Sequence, residues 1–374
     1  MKTCKSLIFA AAALIALPAA ARQPRKETPA APRIILSDRG KVARITGRTL
    51  PGETLPNPNR TDERYSLGGT DLGIVWEISE GRYGLFFGDS YGPKFKSIPG
   101  GGPGPTGGPG DWRSNVLAFA EDGDLSDGLS FSGMLTAPDA PARAAEVVPR
   151  EVNGSFTAIP TAAVALGGVQ YVHYMYWQVG TDDAPENYSS IYRSDDSGRH
   201  WQSCRDSIEF GRGSRFGMVG YASRDGYCYM LGTPIGRSGS ARLARFRDGD
   251  ILRRERYEYW NGDERRWIAG DESAATVVLD GTVGELSVAY HEKYRCWLTL
   301  YFDAERYAIC YRTAERIEGP WSEERVLVSG ADYPGLYGSY IHPASLDGDT
   351  LYYTMSEWPA YNVFLMKAHV GRAE

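Results

Sequence analysis

Two aspartates, Asp71 and Asp89, bracket the stretch "DLGIVWEISEGRYGLFFGD". The residues between them read as two short strands around a turn at Glu80-Gly81. In an antiparallel hairpin, the start of one strand and the end of its partner share one edge of the sheet, so the two carboxylates are neighbours. A turn over residues 79–81 sets Asp71 opposite Asp89, and a two-residue turn sets it opposite Ser90; a slip of one residue turns a side chain to the other face. Strands about 4.8 Å apart bring such a pair into the range of roughly 5–9.5 Å used in glycoside hydrolysis. The apolar run before Asp89 in "FFGDSYG" favours its protonated form, so Asp89 reads as the acid and Asp71 as the base. Aspartate beside glycine is also an ordinary turn signature, and composition alone leaves both meanings open.

Other side chains invite the same weighing. Glu285, in "VGELS" at a strand entry, reads as a third carboxylate that tunes the pair or holds a sugar hydroxyl, with a structural ion pair as the alternative. The tract "IPGGGPGPTGGPGDW" suits neither strand nor helix and reads as a surface loop or as a flap over a substrate mouth. Just beyond it, Trp112, Arg113 and Asn115 are placed to stack on a sugar and hydrogen-bond to it. Trp177 and Trp358 read first as packing and second as stacking platforms. His173, His200, His291 and His369 lack ligand spacing and read as structural, and Ser155 lacks the "G-x-S-x-G" frame of a nucleophile elbow. Cys204, Cys228, Cys296 and Cys310 suit either disulfides or small buried positions, and without paired histidines they do not suggest zinc. No metal or cofactor is expected at the site; an ion plugging an axial channel stays open.

The elements that must position these groups are strands. Apolar and period-two runs of four to eight residues recur between Gly, Asp, Asn and Pro clusters, and no stretch keeps a helical period for long. The chain is therefore all-β, and many short strands at regular spacing imply radial repetition. "SDDSGRHW" (194–201) fits S-x-D-x-G-x-x-W, a pattern that resembles the Asp box of sialidase-type propellers, where it fixes a hairpin away from the active site. "YRTAERIEGPWSEERVL" resembles a blade ending of furanosidase propellers, and "LYYTMSEWPAYNVFLMK" reads as the last blade. Counting hairpins predicts a five-bladed β-propeller, with six blades as the competing count.

Lys2 and Lys5, an apolar run from Leu7 to Leu17 and then Ala19-Ala20-Ala21 predict a secretory signal peptide over 1–21. The run is short for a membrane span, so export without membrane insertion, to the periplasm or the medium, is expected. Residues 22–44 read as a tether or an edge strand, and 45–374 as one domain. The 374-residue chain carries a formal net charge of −6, which repels phosphate backbones on average and argues against nucleic acid. A monomer acting on a polysaccharide is expected.

Several segments together carry a family likeness: "GGTDLG", "FGDSYG", "WRSNVLAFAEDGDLSDGLSF", "VGELSVAYHEKYRCWLTLY" and "YGSYIHPAS". In combination they resemble the bacterial proteins of domain of unknown function 4185, which overlaps glycoside hydrolase family 183, the endo-D-arabinanases of five-bladed propeller fold. The resemblance spans nearly all of the predicted mature chain. It implies cleavage within D-arabinofuranose chains such as those of arabinogalactan and lipoarabinomannan, with the acidic pair on Asp71 and Asp89. Tyr340 and His342 fall in the segment resembling the family's final-blade motif, where a sugar contact and a core histidine are both open readings. The glycine tract departs from the family and leaves the glycone subsites undefined. Inversion is the preferred stereochemical course, because a wide axial mouth leaves room for a water. Two rival functions fit the same features: a sialidase-like hydrolase, prompted by the Asp box, and a non-catalytic glycan-binding propeller.

Overall fold

The computed structural model describes residues 29–97, 111–150, 156–178 and 184–373. The expected signal peptide, most of the glycine tract and Ser155 lie outside them. Among the described residues no helix is long and apolar enough to cross a membrane.

Five antiparallel sheets follow one another along the chain. Blade one runs Leu72–Ser79, Arg82–Phe87, Val116–Ala120 and Phe131–Met134 from inside outward. Blade two begins with Phe156–Leu166, Val169–Gln178 and Tyr188–Ser194, and blade three with Met218–Arg224, Tyr227–Thr233 and Ala241–Arg247. Val283–His291, Cys296–Asp303, Ala308–Ala314 and Arg325–Ser329 form blade four. The fifth takes Leu336–Ile341, Thr350–Glu357 and Asn362–Arg372 from the end of the chain and its outer strand, Ile34–Arg44, from the beginning. Each innermost strand packs against the next, and that of blade five returns to that of blade one. The ring is closed, as a five-bladed propeller requires.

The sequence pattern explains this arrangement. A blade is covered on both faces by its neighbours, so a middle strand such as "CWLTLYFD" is buried along its whole length and reads as a continuous apolar run. The apolar clusters lie between blades. One joins blades two and three through Phe210, Val219 and Phe246, and another joins three and four through Leu243, Leu286 and Tyr301.

Pairing of Ile34–Arg44 with Asn362–Arg372 runs from Ile34 opposite Arg372 to Arg44 opposite Phe364. Of the two readings of residues 22–44, the edge strand holds for this part, and the propeller begins before residue 45. Arg44 is buried in the last blade, where its guanidinium donates to Glu53 at 2.8 Å and lies over the Phe364 ring.

The Asp box takes the structural role expected of it. Asp196 accepts from the amides of Arg199 and His200 and from the Ser194 hydroxyl, which fixes the turn. Trp201 then reaches blade one, 5.2 Å from Phe86 and 6.4 Å from Trp76 between ring centroids. The four cysteines among the described residues, Cys204, Cys228, Cys296 and Cys310, are buried and free, so for them the disulfide alternative falls and the small-residue alternative holds.

Candidate active site

At one end of the axis a cavity of about 460 Å³ opens between the inner strands, lined by Asp71, Asp89, Glu285 and Arg237 among aromatic and apolar side chains. The blade-one hairpin delivers both aspartates by a route the turn alone does not define. Ser79 pairs with Arg82 across the two-residue turn, but a register shift follows at once, so that Trp76 pairs with Gly84 and Ile74 with Phe86. A second shift at Gly73 sets Leu72 opposite Phe87. The Gly88 amide consequently donates to the Asp71 carbonyl at 3.1 Å. Asp71 faces Gly88, not Asp89 or Ser90, because each bulge adds a residue to the first strand.

That second bulge carries strain. Leu72 has φ +69° and Gly73 φ +84°, a left-handed pair in which leucine is unfavourable. The Ser356 hydroxyl holds it by accepting from the Leu72 amide at 2.8 Å. Gly88 has a different role: a Cβ there would lie 2.4 Å from Asp71 Oδ1. Any side chain at 88 would push the carboxylate out of place.

The two carboxylates have separate supports. Asp71 Oδ2 accepts from the hydroxyls of Tyr337 at 2.9 Å and Tyr361 at 3.1 Å, both from blade five. Asp71 Oδ1 is buried without a hydrogen-bond partner among the described residues. Asp89 Oδ1 accepts from Thr157 Oγ1 at 2.6 Å and from Trp112 Nε1 at 3.0 Å.

Burial, and then the charge of Asp89, push the Asp71 pKa up to about 7, against the pull of the two tyrosines. Burial pushes Asp89 up to about 6, and Thr157 and Trp112 hold it back. Both carboxyls are thus raised, and Asp71 is raised further than Asp89, the opposite order to the one that the apolar approach to Asp89 suggests. The cause lies in three dimensions, since Asp71 feels two other carboxylates, Asp89 and Glu285. Tyr337 and Tyr361 are themselves pushed well above their usual range by burial and by Asp71, so both remain hydrogen-bond donors around neutrality.

The other expected residues separate into two groups. Glu285 and Tyr340 line the cavity with the aspartates. Glu285 Oε1 accepts from Arg237 Nε at 2.9 Å and Nη2 at 2.5 Å, so the ion pair weighed for it exists, and it stands inside the cavity. Trp112 is spent on Asp89 and on Arg150, whose guanidinium lies 4.5 Å from its ring centroid; it supports the carboxylate and is not part of the cavity wall.

Arg113, Asn115 and His342 do not reach the cavity. Arg113 is buried and donates to the carbonyls of Ala144 and Ser66. Asn115 donates to the carbonyls of Val148 and Ala158 and accepts from the Val148 amide. These two polar groups follow Trp112 in sequence but satisfy buried backbone, which an interior position demands. His342 is buried against the Tyr83 ring at 4.6 Å, and burial lowers its pKa to about 4; it reads as a core histidine. His173 is likewise buried, with its pKa lowered to about 3.

Sequence reading missed Arg237, Thr157, Tyr337 and Tyr361. Nothing in the chain's linear pattern marks the first two. Tyr337 and Tyr361 lie in segments singled out for their likeness to propeller blades, yet only folding brings both hydroxyls to one carboxylate oxygen. Trp177 and Trp358 do line the cavity, which favours the platform reading over packing.

Among the described residues, one group of potential metal ligands stands elsewhere, in blade four: Asp303, Cys310 and Glu324. Its carboxylates already accept from Thr282, from the amides of Glu305 and Arg306, and from Tyr301, and Arg306 pairs with Glu324 at 2.7 Å. This is a satisfied polar cluster.

Fold and site together define a five-bladed β-propeller with an acidic pair at its axial mouth. Residues 56–367 match the model of domain of unknown function DUF4185, and the chain belongs to that family. Notoamide biosynthesis cluster protein J' of Aspergillus versicolor is 25% identical over 84% of this chain and 87% of its own length. A Bacteroides ovatus protein classed provisionally as a hydrolase superposes with a TM-score of 0.55 at 12% identity, over 82% of this chain and 87% of that one. A family 117 glycoside hydrolase from Zobellia galactanivorans overlaps more loosely, with a TM-score of 0.49 at 12% identity over 89% of this chain and 90% of its own.

Proposed function

We propose that the protein is an exported glycoside hydrolase that cleaves internal D-arabinofuranosyl linkages of a D-arabinan. The observation that carries this reading is the pair Asp71 and Asp89, held in one cavity with raised and unequal pKa values. A carboxyl that keeps its proton near neutrality can protonate a departing glycosidic oxygen, while a more acidic neighbour activates water. Asp71 takes the first role and Asp89 the second. The aromatic walls, Trp177, Trp358 and Tyr340 among them, suit the apolar faces of sugar rings. The arabinan substrate rests on the sequence resemblance to family 183. Action outside the cytoplasm rests on the predicted signal peptide.

Incubation with purified arabinogalactan, followed by chromatography of released oligosaccharides, tests the reading. Internal cleavage yields a ladder of fragments, and Asp71→Asn and Asp89→Asn each lower kcat by roughly 10²–10⁴. Nuclear magnetic resonance of the first product reports its anomeric configuration, and inversion is expected. Binding without release, indifferent to both substitutions, would establish the glycan-binding alternative. The sialidase alternative needs a cluster of free arginines. Among the described residues, Arg237 is the arginine lining the cavity, and Glu285 neutralises it.

A further inference from the structure

In the Arg237–Glu285 pair each partner keeps an unused group. Both Nε and Nη2 of Arg237 donate to the same oxygen, Glu285 Oε1. Glu285 Oε2 is left buried without a partner. Nη1 of Arg237 likewise has no hydrogen-bond partner among the described residues. A buried carboxylate oxygen left unpaired is costly in the empty state, and a ligand that donates to it recovers that cost.

Two independent elements build the arrangement. Glu285 enters from the inner strand of blade four, where a register shift between Val283 and Leu286 interrupts the regular ladder. Arg237 enters from the connection that follows Tyr227–Thr233 in blade three. Its guanidinium is held over Tyr337, 5.1 Å from the ring centroid, and near Phe302 at 5.3 Å. Such stacking fixes the guanidinium plane and leaves its edge for hydrogen bonding. Tyr337 in turn donates to Asp71, so the pair stands one side chain away from the reacting carboxylate.

We infer that Arg237 and Glu285 form a donor–acceptor fork that binds two neighbouring hydroxyls of a neutral sugar ring and rejects sugars bearing a carboxylate. One hydroxyl donates to Glu285 Oε2. The oxygen of the next accepts from Arg237 Nη1. Because Glu285 already cancels the arginine charge, a carboxylate on the ligand would meet Glu285 with no uncompensated cation to receive it. The fork deepens the glycosidase reading and rests on it for the identity of the cavity, though not for the identity of the glycan.

The test is isothermal titration calorimetry on an Asp89→Asn background, which removes turnover. The ligands are arabinan fragments, neutral xylo- and galacto-oligosaccharides, and sialyl- and uronate-bearing oligosaccharides. Glu285→Gln and the double substitution Arg237→Gln/Glu285→Gln are compared with the background protein. The double substitution leaves no unpaired buried charge, and thermal unfolding verifies that both are folded. At least one neutral glycan is expected to bind, about tenfold or more weakly in either variant, as befits a lost hydrogen bond to a charged group. Unchanged affinity in both variants, tightest binding by a carboxylate-bearing glycan, or no binding by any neutral glycan would overturn the fork. If arabinan fragments do not bind but another neutral glycan does and the variants weaken it, the fork stands and the arabinan assignment falls.

Discussion

At the scale of single residues, burial raises both aspartates and the charge of Asp89 raises Asp71 further, to about 7 at Asp71 and about 6 at Asp89. Activity on arabinan should therefore rise as Asp89 loses its proton near pH 6 and fall as Asp71 loses its own near pH 7. A kcat/KM profile that is flat from pH 5 to 8 would contradict this assignment. Glu285 is among the charges that raise Asp71, so Glu285→Gln should move the alkaline limb to lower pH, and the residual activity of that variant can be measured for it. The same shifts bear on stability. A carboxyl with a raised pKa binds protons in the folded state that the unfolded chain has released, so between about pH 4 and 7 stability falls as pH rises. Asp71→Asn removes that penalty. At about 1.4 kcal/mol per pKa unit, and with allowance for solvent at the mouth, it should stabilise the fold by roughly 1–3 kcal/mol at pH 7.5. Below pH 4 the gain should vanish, and urea unfolding at the two pH values checks both statements.

At the scale of elements, the blade-one hairpin is a positioning device whose bulge determines where Asp71 stands. Gly73 has φ +84°, and a Cβ there would lie 2.9 Å from the Val363 side chain. Gly73→Ala should cost about 1–3 kcal/mol in stability and lower activity further than the destabilisation explains, because the bulge sets the register of Asp71. Equal activity per folded molecule would show that the bulge does not govern the site. Trp201 provides the contrast. Trp201→Ala removes a ring packed on Trp76 and Phe86 and should cost roughly 2–4 kcal/mol while leaving the pH profile unchanged. Denaturant titration paired with kinetics separates these two outcomes.

At the scale of the whole molecule, closure of the ring depends on a strand from the start of the chain. Ile34–Arg44 covers the edge of Asn362–Arg372, and an uncovered edge of that length invites association with other chains. A protein beginning at residue 45 should lose its single cooperative unfolding transition and aggregate, as calorimetry and light scattering would register. With the four cysteines of the described residues buried and free, reductant should leave the melting temperature of the folded domain unchanged.

The all-β class, the number of blades and the structural part of the Asp box were legible because each rests on local pattern: strand periodicity, turn residues and one short motif. The hairpin also made Asp71 and Asp89 neighbours by chain geometry alone. Their chemical difference was not legible, because the pKa of Asp71 answers to Tyr337, Tyr361 and Glu285, which lie far along the chain and meet it only when five blades close. For the same reason Arg113 and Asn115, beside Trp112 in sequence, turned inward to satisfy buried carbonyls, while Arg237, which no local pattern marks, turned toward the axis. Sequence thus determined the blades and brought the acidic pair together, since both follow from interactions between near neighbours. The tertiary structure decided which groups raise each acid and which side chains share the cavity, since burial and charge there are set by residues from different blades.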